Sequence, residues 1–488
     1  MKKTAVGFAV LLFVVQCRAQ VQWSPPVQIS HGHGDDTHPS FANSMYGFGD
    51  MLTFSRFDSQ RYSICIVTNS FASNWDDTTI FIAHDSVRLD YPTLTESGSF
   101  PSKRMLVWQR GDTLRNLWFS SDFGGGWSMP APLTNDTLDN RFPYLSPTYN
   151  GDVFGLVWQR ADRIAFTEFT TGSWLPPISI SDSSDTITAR PSLKYTIEVP
   201  GVSNPLVVWG GKEFLFPSLQ YEPVVRYAVR TGNGWFISLL GVNTDAMYHP
   251  RLIKNSPWGA DLTYEGWDGT NWEIYAGGVD VISYWGHNLS NSPLVDDRGA
   301  SFAATSIITA KSASSGIPYF MAGTWKSTSS VGDSIAVLDR TRIAPYYLNA
   351  SPGTAKANPD ISCGLGWGYW SAWESNETGD WKVFGSYAQI PLDVNETAAI
   401  PKIFRLYQNY PNPFNPGTTI EFSIPSAQFV MLKVYNLLGQ EVVTLVNGLQ
   451  TAGVHSVQWN ASSLSTGFYF YKMETGKFSQ TRKLMLMK

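Results

Sequence analysis

Cysteine is nearly missing from this sequence, with three residues in 488. That excludes a disulfide-stapled scaffold and a cysteine-based metal site. Charge is sparse too: Asp, Glu, Lys and Arg make up 15% of the chain. The net charge of −5 offers no basic footprint, which excludes nucleic acid as an expected partner. Beyond the first twenty residues no run is apolar enough to form a membrane-spanning helix. Long amphipathic patterns are absent, as are a G-x-S-x-G elbow, a P-loop, a dinucleotide fingerprint and a Cys–His nucleophile arrangement. These gaps remove most α/β enzyme classes, and no cofactor is expected.

Aromatic residues, by contrast, reach 14%, and 41 Gly and 29 Pro accompany them. That mixture suits an all-β protein of many short strands and turns. A chain of this length exceeds a single core, so two or three domains are expected. The first residues, MKKTAVGFAVLLFVVQCRAQ, read as a secretory signal peptide over 1–19. Lys2 and Lys3 form its basic start, Ala5 to Val15 its apolar stretch and Cys17-Arg18-Ala19 its cleavage site. Gln16, where a small residue would precede a lipid-bearing cysteine, argues against a lipoprotein anchor. Cys65 and Cys363 remain after cleavage, and no bond between them is expected.

A repeat organises residues 20–390. Trp23-Ser-Pro-Pro, Trp127-Ser-Met-Pro, Trp174-Leu-Pro-Pro and Trp235-Phe-Ile-Ser are each followed, 15 to 17 residues after the Trp, by Pro39, Pro143, Pro191 and Pro250. Pro92, Pro293 and Pro359 extend the series to seven. Downstream comes a strand with an aromatic residue, as in LVWQR (ending at Arg110 and again at Arg160), LVVWGG, LTYEGWD and SAWES, then a third strand. The unit is a four-stranded meander of about 50 residues, the period of a propeller blade. Because the chain starts with a fourth strand and ends with a first, second and third, the segment at Trp23 is expected to complete the last blade and close the ring. Seven blades is the count, with six or eight left open by the irregular stretch from Pro293 to Leu338.

Alternation of strands places the connection into each first strand, and the turn after each second strand, on one face. Residues ending those connections are His38, Tyr91, Phe142, Arg190 and His249, with carboxylates such as Asp36 and Asp90 just before. The turns add Arg56, Gln109, Arg110, Gln159, Arg160, Glu265 and Glu374. The candidates for binding a ligand are Asp36, His38, Tyr91, Arg110, Arg160, Arg190, His249, Glu265 and Glu374. Aromatic stacking plus bidentate hydrogen bonds suit a carbohydrate or another surface ligand, and two carboxylates could serve glycoside hydrolysis. Against this stands the commoner role of such residues: Asp bonding its own turn and Arg lying solvated at a strand end. The cluster His31, His33, Asp35, Asp36 and His38 has metal-ligand spacing, but its glycine-rich loop and lack of a supporting helix argue against a metal site. No catalytic constellation emerges.

Ser120-Ser-Asp122-Phe-Gly124-Gly-Gly-Trp127 fits S-x-D-x-G-x-x-W and resembles the Asp-box of sialidase-like propellers. The resemblance implies structural roles for Ser120, Asp122, Gly124 and Trp127. The leading strand shows Thr37-His38-Pro39-Ser40 and no arginine, so sialidase activity is not implied.

Residues 391–402 read as a polar linker, and 403–488 as a small β-sandwich. Its signatures are Tyr410-Pro411-Asn412-Pro413-Phe414-Asn415-Pro416, Val434-Tyr-Asn-Leu-Leu-Gly439, Leu464-x-x-Gly467-x-Tyr469 and a last stretch running through Lys483 to Lys488. In these residues the segment resembles the type A C-terminal sorting domain of the type IX (Por) secretion system. The sandwich is expected to be Ig-like, and the family implies recognition by the outer-membrane secretion machinery and delivery to the cell surface or the medium.

Overall fold

The computed structural model describes residues 22–389 and 405–487, except 45–50, 72–73, 76–78, 98–101, 149–152, 183–184, 200–201, 216–219, 233, 241–246, 255–260, 279–286, 291, 293–294, 305–320, 331, 340–344, 349–352, 365–367, 407–408, 410–411, 413, 425–427, 438, 451–452, 463 and 477. The expected leader and linker, Pro293, Tyr410, Pro411, Pro413 and Lys488 thus lie outside the described residues. Every described element is a β-strand, and the chain divides into two compact units, Met1–Pro391 and Leu392–Lys488.

The first unit is a β-propeller. Among the described residues it holds seven sheets in chain order, antiparallel except where Asn43–Ser44 pairs in parallel with Leu89–Glu96. Their first strands are Asp35–Phe41, Leu89–Glu96, Asn140–Pro147, Ala189–Val199, Met247–Leu252, Asp296–Ala304 and Lys356–Gly364. Each of these inner strands touches the next, and the last touches the first. The sheet of Lys356–Gly364 is completed from the other end of the chain: Trp23 pairs with Ala388 and Val27 with Gly385. Ser24, Ile29 and Ser30 donate their backbone N–H groups to carbonyls of Tyr387 and Val383.

One local device recurs in every inner strand. Two residues bulge out opposite a single aromatic residue of the second strand. The pairs are His38-Pro39 against Phe54, Tyr91-Pro92 against Trp108, Phe142-Pro143 against Trp158, Arg190-Pro191 against Trp209, His249-Pro250 against Tyr264, Gly299-Ala300 against Trp325 and Asn358-Pro359 against Trp373. Proline has no N–H to waste there. The residue before it takes a left-handed backbone in most sheets: φ is 56° at His38, 48° at Tyr91, 55° at Phe142, 48° at His249 and 46° at Asn358. Such a φ is uncommon for non-glycine residues and costs roughly 1–3 kcal/mol each. In the sixth sheet, where Pro293 was expected to open the first strand, Gly299 (φ 69°) holds the bulge and no proline follows it. That explains why the sequence repeat falters there.

The aromatic residues opposite the bulges form the core between sheets. Trp108, Trp158, Trp209, Trp325 and Trp373 are fully buried. Apolar clusters each span two neighbouring sheets, including one in which Ile29, Phe41 and Phe54 of the chain's start meet Trp370 and Val383 near the unit's end. Hydrogen bonds also stitch neighbouring inner strands: Leu145 N–H donates to Thr93 Oγ1 (3.2 Å), Leu252 N–H to Ser192 Oγ (3.2 Å) and Phe41 N–H to Asp360 Oδ2 (2.8 Å). The last of these crosses from the seventh sheet to the first. Cys65 is buried and free.

In the turn at Ser120, Asp122 Oδ1 accepts the N–H groups of Gly124 and Gly126, both at 3.0 Å. Ser120 Oγ donates to Ser128 O at 2.7 Å, and Trp127 packs on the cluster around Ile64 and Leu106.

The second unit comprises a three-stranded sheet, Arg405–Leu406, Gly417–Ile424 and Gly453–Asn460, and a four-stranded sheet, Gln428–Tyr435, Glu441–Gln450, Gly467–Thr475 and Phe478–Leu486. Both contribute to one core, including Phe422, Leu432, Trp459 and Tyr471. Asn412 ties the entry segment to the last strand, its Oδ1 accepting Met485 N–H at 2.9 Å. Gly439 takes φ 77° in the hairpin turn after Tyr435, a conformation that favours glycine.

Candidate functional site

Of the seven bulge residues five, His38, Tyr91, Phe142, Arg190 and Asn358, line a cavity of about 110 Å³. The position two residues past the bulge adds Arg251, Ser301 and Asp360 from the fifth, sixth and seventh sheets to the wall, with Lys254 beside them. The site is therefore a product of the repeat itself.

The aromatic side of the mouth is continuous. The rings of His38 and Tyr91 lie 4.0 Å apart, and Phe142 meets Tyr91 edge-on at 5.0 Å. The Arg190 guanidinium sits 4.4 Å from the Tyr91 ring centre and 4.8 Å from that of Phe142, and it donates to Tyr91 Oη at 3.2 Å. Among the described residues no carboxylate pairs with Arg190 or Arg251. Burial lowers the pKa of Arg190, and the neighbouring Arg251 charge acts in the same direction, against the raising influence of Tyr91.

Carboxylates at the mouth are engaged. Asp90 is bonded to His38 Nδ1 (2.8 Å) and to Arg88 (2.6 Å). Burial opposes its ionisation, but His38 and Arg88 outweigh that and hold it below the usual carboxylate range. Glu374 accepts the bulge N–H of His38 at 2.7 Å and Asn358 Nδ2 at 2.7 Å. Burial raises its pKa despite those bonds. Glu265 does the same for the sixth sheet, accepting Gly299 N–H at 2.8 Å, and Gln109 does so for the third, accepting Phe142 N–H at 3.2 Å. In these three cases the residue following the second-strand aromatic caps the next sheet's strained bulge. At the cavity floor Asp360 holds Lys254 Nζ at 2.6 Å and Ser301 Oγ at 2.6 Å. Burial still leaves the Lys254 pKa below its ordinary value.

Of the residues singled out from sequence, His38, Tyr91 and Arg190 converge on this cavity, with Glu374 behind them. His249 occupies the equivalent bulge but turns to Glu265 (2.8 Å), outside the cavity lining. Asp36, Arg110 and Arg160 lie elsewhere, in ion pairs that tie second strands to a first strand, a fourth strand and an incoming loop respectively: Arg56–Asp36 at 2.6 Å, Arg110–Asp85 at 2.5 Å and Arg160–Asp136 at 2.5 Å. Among the described residues no three His, Cys, Asp or Glu side chains are grouped to hold a metal ion. Sequence reasoning missed Arg251, Lys254 and Asp360. The signal was the X-Pro-Y spacing, since Arg251 and Asp360 are the residues just after the bulge prolines.

A separate unit follows the propeller in the chain. Residues 408–487 match the family model described as the secretion system C-terminal sorting domain. The chain is thus sorted by the type IX system to the cell surface or the medium. No curated protein matches the chain. Among solved structures, a protein of unknown function from Dyadobacter fermentans is 10% identical, with 76% of this chain and 99% of that one covered at a TM-score of 0.43. The Cps50 (Swd1) β-propeller domain of Myceliophteria thermophila is 11% identical, covering 76% and 100% at 0.44. The Hadza microbial sialidase Hz136 is 10% identical, covering 67% and 73% at 0.40.

Proposed function

We propose that residues 20–390 form a closed seven-bladed propeller that binds an extracellular carbohydrate or another surface ligand at its axial cavity. In this reading a leader over 1–19 starts export, 391–402 link the propeller to the tail, and 403–488 form an Ig-like domain that engages the outer-membrane secretion machinery. The Asp-box turn is structural. The observation that carries the binding reading is the mouth of the cavity, where Arg190 lies against the faces of Tyr91 and Phe142 without a carboxylate partner. Aromatic faces with a few convergent polar groups suit sugar recognition.

Binding is favoured over the alternative, glycoside hydrolysis, because Asp90, Glu374 and Asp360 are each committed to His38, Asn358, Arg88 or Lys254. Hydrolysis needs an acid and a second carboxylate free to face the scissile bond. The test is a glycan array run beside a panel of chromogenic glycosides with the full chain. Retention of a glycan without turnover supports binding. Turnover abolished by Glu374→Gln or Asp90→Asn would replace it with hydrolysis.

A further inference from the structure

The charges around the axial cavity do not balance, and the imbalance names a ligand class. Lys254 is matched by Asp360 at 2.6 Å, and Arg88 by Asp90 at 2.6 Å. That leaves Arg190 and Arg251 with one further carboxylate, Glu374, which bonds the His38 N–H and Asn358 Nδ2 and makes no ion pair with either arginine. Elsewhere in this unit buried and half-buried arginines are paired: Arg56 with Asp36, Arg110 with Asp85, Arg160 with Asp136 and Arg230 with Glu168. Arg190 and Arg251 depart from that habit while sitting on adjacent inner strands of the same cavity wall.

A desolvated guanidinium stacked on two rings keeps its planar donor edge in a fixed direction. Such an edge is suited to a planar or tetrahedral oxyanion, through charge-assisted paired hydrogen bonds. Water or a neutral hydroxyl could satisfy the donors but not the charge. Resting on the reading of the cavity as a glycan-binding site, we infer that its ligand is an acidic glycan, whose ionised carboxylate or sulfate group enters the cavity between Arg190 and Arg251. The sugar ring carrying that group then lies at the mouth of the cavity, outside the Arg190–Tyr91–Phe142 stack. Asn358 and the His38 ring flank the entrance as polar contacts.

The experiment is calorimetric titration of the full-length protein with three oligosaccharides of equal length: an oligogalacturonate, its carboxyl-reduced neutral form, and a sulfated galactose oligomer. At least tenfold tighter binding of an acidic form than of the neutral form is expected, with the two acidic arms telling carboxylate from sulfate. Arg190→Gln and Arg251→Gln are each expected to erase that preference. Arg163→Gln, at an exposed residue away from the cavity, is expected to keep it. Arg190→Lys retains the charge without the flat donor edge and should lose most of the preference while keeping the packing. Thermal melts of each variant check that the fold survives. If neutral and acidic forms bind equally, the inference is overturned while the glycan-binding reading stands. If no oligosaccharide binds, both fall.

Discussion

Asp297 is a buried carboxylate that the fold holds at a cost, and removing its charge should stabilise the protein. It lies on the inner strand of the sixth sheet, fully buried, and neither carboxylate oxygen has a hydrogen-bond partner of good geometry. Ser327, its register partner, and Trp325 are also left with an unpartnered Oγ and Nε1. Burial pushes the Asp297 carboxyl from 3.8 up to about 6, with the nearby Glu273 charge adding to the rise and the dipoles of Ser327 and Trp325 only tempering it. The third sheet shows a better solution at the same place, two residues before the bulge: Asn140 Oδ1 accepts Trp158 Nε1 at 2.8 Å. The folded-state pKa lies above the unfolded one, so the neutral acid is the form the fold prefers. This group's contribution is complete below about pH 4 and is lost as pH rises through about 6. The loss amounts to about 3 kcal/mol at neutral pH, an upper bound for a site that relaxes on ionising. Asp297→Asn keeps the shape, does not titrate, and offers an acceptor to Trp325 and a donor to Ser327. Urea unfolding followed by tryptophan fluorescence reads the propeller, because every Trp except Trp459 lies in the first unit. The variant should exceed the native chain by roughly 2–3 kcal/mol at pH 7.5, with the gap shrinking towards pH 4. A gap independent of pH, or a destabilised variant at pH 7.5, would refute the reasoning.

Other outcomes follow from the same geometry. Asp360→Ala leaves the buried Lys254 ammonium without its partner and frees the Phe41 N–H, so urea unfolding should report a loss of about 3–5 kcal/mol; a loss below about 1 kcal/mol would show the pair to be dispensable. Gly299→Asn should cost under about 1 kcal/mol, since Asn358 adopts the same left-handed bulge, while Gly299→Val should cost distinctly more in thermal melts. Glu374→Ala strips the bulge at His38 of its acceptor and is expected to cost about 1–3 kcal/mol, with Glu374→Gln recovering most of it. Deleting residues 408–488 should leave the propeller inside the outer membrane, as cell fractionation would show; unchanged surface or medium levels would contradict the role of the tail.

The propeller was legible in the sequence because its defining device is local. An X-Pro pair must face an aromatic residue in the neighbouring strand, so Pro39 with Phe54, or Pro143 with Trp158, recurs at a fixed interval. The sixth sheet was harder to read because Gly299 achieves the bulge without a proline. At the site, His38, Tyr91 and Arg190 were visible as the residues before the prolines. Arg110, Arg160 and Asp36 were not separable from them, since their partners Asp85, Asp136 and Arg56 come from other strands and loops, and spacing does not encode which pairs close. Arg251 and Asp360 were hidden for the opposite reason. They occupy the position after each proline, where most sheets carry small or neutral residues such as Ser40, Thr93 and Ser192, so charge there is an exception to the repeat.

The closed-ring reading requires residues 22–30 to complete the seventh sheet, and amide hydrogen exchange read by mass spectrometry tests that directly. Peptides covering residues 22–30 should exchange as slowly as those covering 382–389, because Ser24, Ile29 and Ser30 donate to Tyr387 and Val383. Exchange of 22–30 at the rate of an unstructured peptide, with 382–389 still protected, would contradict the closed ring and the cavity built on it.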